Sequence, residues 1–425
     1  MSNELVALLE GKVVGSVRKS ERDGISFLYD DAWRNDPAAY QLSLSMPLGT
    51  REHYRSVTEA YLWGLLPDNE QVLAGWAKKF QVSARNVFSL LSHVGEDCAG
   101  AVQFVVPERL ETLAGGKEDK IEWIDEAGMS RRLKTLREDA ADGRLRGDTS
   151  QFSLAGAQHK TALFFQNGRW GVPCGRIPTT HILKPPMVQL DGHAENEHIC
   201  LDLARELGLP AAQSKVMHFG EETAIVLERY DRLAIGNDIL RLHQEDACQA
   251  RGIMPTRKYQ NEGGPSASDI AELIRTYSTD READLDTFVG ALALNWLIVG
   301  TDAHAKNYSF LLKNRDVRLA PLYDIASILP YSFDLKKAKF AMKIGGKYEV
   351  SVIGLRQWQK QAKELRIEAD ALIERIDEMA RKLPDLVNDM RVPSRKQGLG
   401  HAIIERLAAA LIERAGECRR LLGKT

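Results

Sequence analysis

The sequence predicts an α+β protein: a small N-terminal sheet with helices, then a β-rich lobe, then an all-helical C-terminal lobe. Three observations predict it. Short alternating apolar runs crowd the first half, a polar stretch after residue 106 divides it, and three-to-four apolar spacing dominates beyond Tyr348. The corresponding domains are 1–110, 120–250 and 251–425.

Residues 5–9 and 13–17 flank Glu10-Gly11-Lys12 and predict a hairpin, which residues 25–29 extend. Helical patterns follow at 57–66, 70–79 and 84–93, and 101–106 is an apolar strand. Pro107 and the Gly-Gly-containing stretch 111–119 mark a boundary. Residues 180–184 alternate as a strand. The next helix opens at Glu195-Asn196-Glu197, repeats Ile199, Leu203 and Leu207 at helical spacing, and stops at Gly208 with Pro210 beyond. An apolar strand at 224–228 runs into charged residues. Residues 288–299 suit a buried helix, being too short and too interrupted by Asn295 for a membrane span. The apolar runs 308–312 and 317–323 flank the polar turn Lys313-Asn314-Arg315-Asp316, a hairpin that folds Asp324 back toward Asn307. Residues 367–383 and 400–422 are amphipathic helices, joined by a Pro- and Arg/Lys-containing connector at 388–398 that is read as a solvated loop, with contact to DNA phosphate as the alternative.

Composition bounds the function. With 425 residues, 44% hydrophobic and 27% charged, there is ample core for two or three domains. A net charge of -2 gives no global basic field for sequence-independent DNA binding by this chain. Five cysteines without C-x-x-C spacing suit thiols in a reducing cytosol, and the start lacks a basic, apolar leader, so the expected location is cytoplasmic with no membrane contact. His193 and His198 with Glu195 and Glu197 fall on different helix faces and are not expected to bind metal.

Chemistry concentrates at Gly300-Thr301-Asp302-Ala303-His304-Ala305-Lys306-Asn307 and at Tyr323-Asp324. An aspartate followed five residues later by an asparagine, with another aspartate beyond a hairpin, is kinase spacing for a catalytic base and two metal ligands. Asp302 is the candidate base, and Asn307 and Asp324 supply hard oxygens for Mg2+ on the phosphates of ATP. Lys306 or His304 can offset charge on the transferred group. Asp and Asn at this spacing also simply make turns.

Upstream, small residues at Ser153-Leu154-Ala155-Gly156-Ala157-Gln158 let backbone approach a phosphate, or make a plain loop-to-strand junction before Lys160 and the next strand. Kinases place a strand lysine on the phosphates and steady it with a helix glutamate, which singles out Lys184 and Glu197. Glu228, Tyr230 and Asp231 follow the 224–228 strand in a segment suited to link two lobes, where backbone can read adenine and Asp231 can take the ribose hydroxyls.

In order and spacing these pieces resemble the HipA family of serine/threonine kinases, toxin components of bacterial toxin–antitoxin pairs. The resemblance covers nearly the whole chain and includes His243-Gln244-Glu245-Asp246, Lys258-Tyr259 with Gly263-Gly264-Pro265, and Leu322-Tyr323-Asp324-Ile325. It implies a HipA-like kinase fold with ATP and Mg2+ as cofactors and Asp302 as base. It further implies Asn307 and Asp324 as metal ligands, Lys184 and the 155–158 loop on the phosphates, and Glu228, Tyr230 and Asp231 on the nucleotide-binding linker. Family members autophosphorylate a serine at the position of Ser153, which expels the loop and silences the kinase. The implied partners are a HipB-like helix-turn-helix antitoxin, DNA only through that antitoxin, and a protein substrate with a Ser/Thr acceptor, a translation component such as an aminoacyl-tRNA synthetase. The alternative is a kinase-like corepressor that mainly binds the antitoxin. Gly300-Thr301-Asp302 replaces the His-Arg-Asp of eukaryotic kinases and Asp324-Ile325-Ala326 their Asp-Phe-Gly, as HipA-like sequences do; His159 has no assigned role.

Overall fold

The computed structural model describes residues 3–20, 24–138, 153–187, 189–236, 238–396 and 399–424. Two compact units emerge. The first comprises Met1–Pro185, Met217–Thr256 and Ser309–Val317, the second Pro186–Val216, Arg257–Tyr308 and Arg318–Thr425.

In the first unit, Glu4–Leu9 and Lys12–Ser20 form the expected hairpin. Glu10 and Gly11 both take positive φ, 52° and 78°, the backbone of a tight turn whose twist matches the strands it joins. The antiparallel sheet grows outward through Gly24–Tyr29 and Glu52–His53 on one side and Val102–Val105 on the other. Helices Arg55–Gly64, Glu70–Phe80 and Val87–Val94 match the three predicted patterns. Asn69 and Asn86 cap the last two, each side chain accepting from backbone amides of the first turn.

A six-stranded sheet follows, in the order Ser214–Phe219, Glu222–Glu228, His181–Lys184, Thr161–Gln166, Arg169–Cys174, Lys120–Ile124. Helix Glu126–Glu138 covers one face with Met129, Leu133 and Leu136, which pack on Leu163, Trp170, Leu183 and Val226. Full burial of each such side chain contributes about 1.5–3 kcal/mol. Within the sheet Lys184 lies opposite Ile225, and Leu183 opposite both Thr161 and Val226, so the strand ending in Lys184 is held on both edges.

Helices dominate the second unit: His193–Glu206, Ala267–Tyr277, Arg281–Ile298, Leu355–Glu364, Ala369–Lys396 and Ile403–Leu421. Arg281–Ile298 is buried from Phe288 to its end, which is why its sequence is apolar all round rather than striped. The lobe expected to be all helical also carries the hairpin Lys339–Ile344 and Lys347–Glu349, where Gly345 and Gly346 turn with φ of 55° and 86°.

The loop expected at 388–398 is helical as far as Lys396. Pro384 sits inside this helix although an interior proline costs roughly 3 kcal/mol. Burial of Leu383 and Val387, together with the pairing of Arg391 with Glu405 on the neighbouring helix Ile403–Leu421, opposes that cost. Gln397, Gly398 and the side chains of residues 392–396 lie outside the described residues, as do Met1 and Ser2.

Candidate active site

The helix Arg281–Ile298 delivers the chain to the catalytic loop. Val299 adopts φ 53° and ends the helix, and its neighbour must be glycine: a Cβ on Gly300 would stand 2.2 Å from Asn295 Oδ1. Thr301 is tied by its carbonyl to the amide of Ala341, 3.0 Å away. Asp302 then projects an exposed carboxylate, whose Oδ1 accepts a 2.7 Å hydrogen bond from the Tyr259 hydroxyl.

Asn307 closes the loop. Its buried amide donates to the Asp302 carbonyl at 3.2 Å and to the Asp324 carbonyl at 3.5 Å. That orientation turns the amide oxygen away from both carbonyls and leaves it suited to a hard cation. Asp324 is exposed and adopts φ 58°, a left-handed backbone that Asp tolerates better than most side chains. Tyr323 bonds the Lys306 carbonyl at 2.6 Å, and Leu322 is held on both sides by Pro210 and Ala212 through 2.8 Å backbone bonds. The predicted return of Asp324 to Asn307 is therefore present, with Ser309–Lys313 and Asp316–Leu319 forming the connecting strands.

His304 and Lys306, the candidates for charge compensation, are both buried. His304 is buried, and burial, reinforced by the nearby Lys258, holds its imidazole below the usual pKa, toward the neutral form. Its ring stands edge-on to Tyr259 with centroids 5.1 Å apart, so it packs the tyrosine that touches Asp302. Lys306 is buried as well. Asn196 clamps the segment after Asp324, donating to Ser327 O at 2.7 Å and accepting from Ser327 N at 3.1 Å. Glu197, beside it on His193–Glu206, is buried, as is Lys184 at the end of its strand.

The first unit carries the small-residue loop. Ser153 is wholly buried; its amide donates to Asp97 O at 2.9 Å and its hydroxyl to Leu65 O at 2.8 Å. Gly156 adopts φ 106°, a conformation closed to other residues at ordinary cost. Lys160 Nζ donates to Ala155 O at 2.6 Å, and Gln158 Nε2 to Pro185 O at 3.0 Å, which ties the loop to the residue following Lys184.

Of the three linker residues, Glu228 is exposed at its strand end and Tyr230 is partly buried, with its hydroxyl on Gln244. Asp231, expected on the ribose, is buried and engaged: Oδ1 accepts from Arg229 Nε at 2.9 Å, and Oδ2 from Arg229 Nη2 at 2.8 Å and the Gly100 amide at 2.7 Å. Asp97 completes the cluster through Arg232 and Thr179. Burial alone would raise the Asp97 pKa, yet the guanidiniums of Arg232, Arg229 and Arg241 hold it well below the carboxylate range. A carboxylate so enclosed braces the unit.

Three contacts escaped sequence reasoning: Tyr259 on Asp302, Asn196 on Ser327, and Asn69 beside the 153–159 loop. Tyr259 is 43 residues from Asp302, beyond any spacing rule.

Comparison with known proteins completes the description. Residues 152–387 match the HipA-like C-terminal domain, and residues 5–105 the HipA N-terminal domain. The chain belongs to the HipA family. The protein Y4mE of Sinorhizobium fredii is 36% identical over 359 residues, covering 84% of each chain. The serine/threonine-protein kinase toxin HipA of Shewanella oneidensis is 28% identical over 388 residues, covering 87% of this chain and 84% of that one. Among solved structures, the Shewanella oneidensis complex of HipA, HipB and its operator DNA contains a chain superposing with a TM-score of 0.83 at 25% identity, over 99% of this chain and 98% of that one. The HipA family is thus one of serine/threonine kinase toxins, and ATP is the phosphoryl donor its kinase members imply. Among the described residues, no helix is long and apolar enough to cross a membrane.

Proposed function

We propose that this chain is an ATP-dependent serine/threonine protein kinase that acts as a toxin, phosphorylates a protein of the translation apparatus, and silences itself by phosphorylating Ser153. The observation that carries the catalytic reading is the loop closed by Asn307, which joins the backbones of Asp302 and Asp324 through one side-chain amide. Asp302 would accept the proton of the incoming hydroxyl. Asn307 and Asp324 offer the oxygen donors that Mg2+ prefers, and the ion would neutralise phosphate charge. The backbone of residues 155–158, Lys160 and Lys184 would hold the phosphates, with Glu228 and Tyr230 on the adenosine.

Ser153 supports the regulatory part. Its hydroxyl is a donor in a sealed environment, and a phosphate there would set acceptor oxygens and about two negative charges against the Leu65 carbonyl. The phosphorylated loop could not return to this position. A HipB-like DNA-binding antitoxin is the proposed partner, supported by the relative's complex.

The kinase reading is tested by incubating cell extract and labelled ATP with the purified protein. Label should enter extract proteins with the wild type and stay at background with Asp302→Asn; equal labelling by both would reject it.

A further inference from the structure

Besides its ties to Asp97, Pro185 and Lys160, the 153–159 loop is held by one short stretch of the N-terminal subdomain. Leu65 O accepts from the Ser153 hydroxyl at 2.8 Å, and the Asp68 amide donates to Gly156 O at 3.1 Å. Asn69 follows. Its Nδ2 donates to Ala157 O and to His159 Nε2, both at 3.2 Å, while its Oδ1 accepts from the amides of Gln71 at 2.9 Å and Val72 at 3.3 Å. One side-chain amide thus caps helix Glu70–Phe80 and fixes the loop. A cleft lined by Val72, Trp76 and Leu136 lies against Gly156 and His159.

From this geometry we infer that Asn69 is a positioning residue for nucleotide binding: its amide, with His159 as partner, holds loop 155–158 in the shape that receives phosphate. Backbone amides bind an anion well only when they point at it before it arrives. Gly156 at φ 106° and a loop of small residues have little intrinsic preference for one shape, so the conformation must be imposed from outside. Asn69 and its neighbours share in imposing it with the bonds of Gln158 to Pro185 and Lys160 to Ala155. His159, an imidazole where a phosphate loop has no chemical need of one, acquires a purpose as the second point of attachment.

The inference rests on the loop's phosphate-binding role under the kinase reading, and the test separates the two. Titrate fluorescent N-methylanthraniloyl-ADP into the wild type, Asn69→Ser and His159→Ala, and record thermal unfolding of each. Serine caps helices as well as asparagine but is too short to span to Ala157 and His159. The expected result is a dissociation constant raised about tenfold in Asn69→Ser and about threefold in His159→Ala at little-changed unfolding temperature, as lost hydrogen bonds of ordinary strength predict. In steady state, KM for ATP should rise while kcat holds. If Asn69→Ser proves unstable, His159→Ala, which leaves the cap intact, decides the matter. Wild-type affinity in His159→Ala, or in a stable Asn69→Ser, overturns the inference and leaves the kinase reading standing; a wild type that binds no nucleotide overturns both.

Discussion

The Tyr259 hydroxyl donates a 2.7 Å hydrogen bond to Oδ1 of Asp302. With one oxygen committed, the carboxylate is fixed in rotation, and Oδ2 remains to face an acceptor hydroxyl. Tyr259 is itself held, since its carbonyl accepts from the Gly264 amide at 2.9 Å and its ring is packed by His304. Tyr259→Phe should therefore lower kcat about tenfold, the value of one oriented hydrogen bond to a charged group, with KM for ATP unchanged. Steady-state kinetics on both substrates check this; a raised ATP KM with normal kcat would contradict it.

Asn307→Asp keeps size and shape but turns both donor contacts into repulsion against the Asp302 and Asp324 carbonyls. Activity should fall by about a hundredfold or more, with stability lower by about 1–3 kcal/mol as buried carbonyls lose their donor. Denaturant unfolding beside a kinase assay measures the two effects separately.

Ser153→Ala loses only the hydroxyl bond to Leu65 O, and the loop keeps its backbone tie to Asp97. The variant should fold with a stability loss of about 1 kcal/mol and escape self-inactivation. A time course of substrate phosphorylation should stay linear in the variant and decline in the wild type.

Much of this was legible in the sequence, and what was not has a common cause. The Glu10-Gly11 hairpin, the helix at 70–80 and the Asp302–Asn307 spacing depend on residues close together in the chain. Tyr259, Asn69 and Asn196 act across 43, 88 and 131 residues, distances at which periodicity carries no signal. The setting of Asp231 was hidden for the same reason: the Gly100 amide that donates to it lies 131 residues earlier. The helix through Pro384 shows tertiary burial overriding a local stop signal.

Glu245 predicts a pH dependence unconnected with catalysis. Burial pushes its pKa up to about 8, against hydrogen bonds from Ser43 and the Leu44 amide. The folded protein then binds a proton that the unfolded chain, near 4.5, has released, so stability falls as pH rises from 4.5 to 8. His243 works the other way, because burial pushes it down to about 4 and its contribution grows between pH 4 and 6.5. The window from 6.5 to 8 isolates Glu245. There the wild type should lose up to about 1.4 kcal/mol per pH unit and Glu245→Gln should be flatter, as urea unfolding at several pH values will show.

The central claim is that Asp302 drives phosphoryl transfer governed by Ser153. Site-resolved mass spectrometry after incubation with ATP and Mg2+ tests it most directly. Phosphate should appear on Ser153 in the wild type and be absent in Asp302→Asn; equal modification of Ser153 in both, or none in the wild type, would contradict the account.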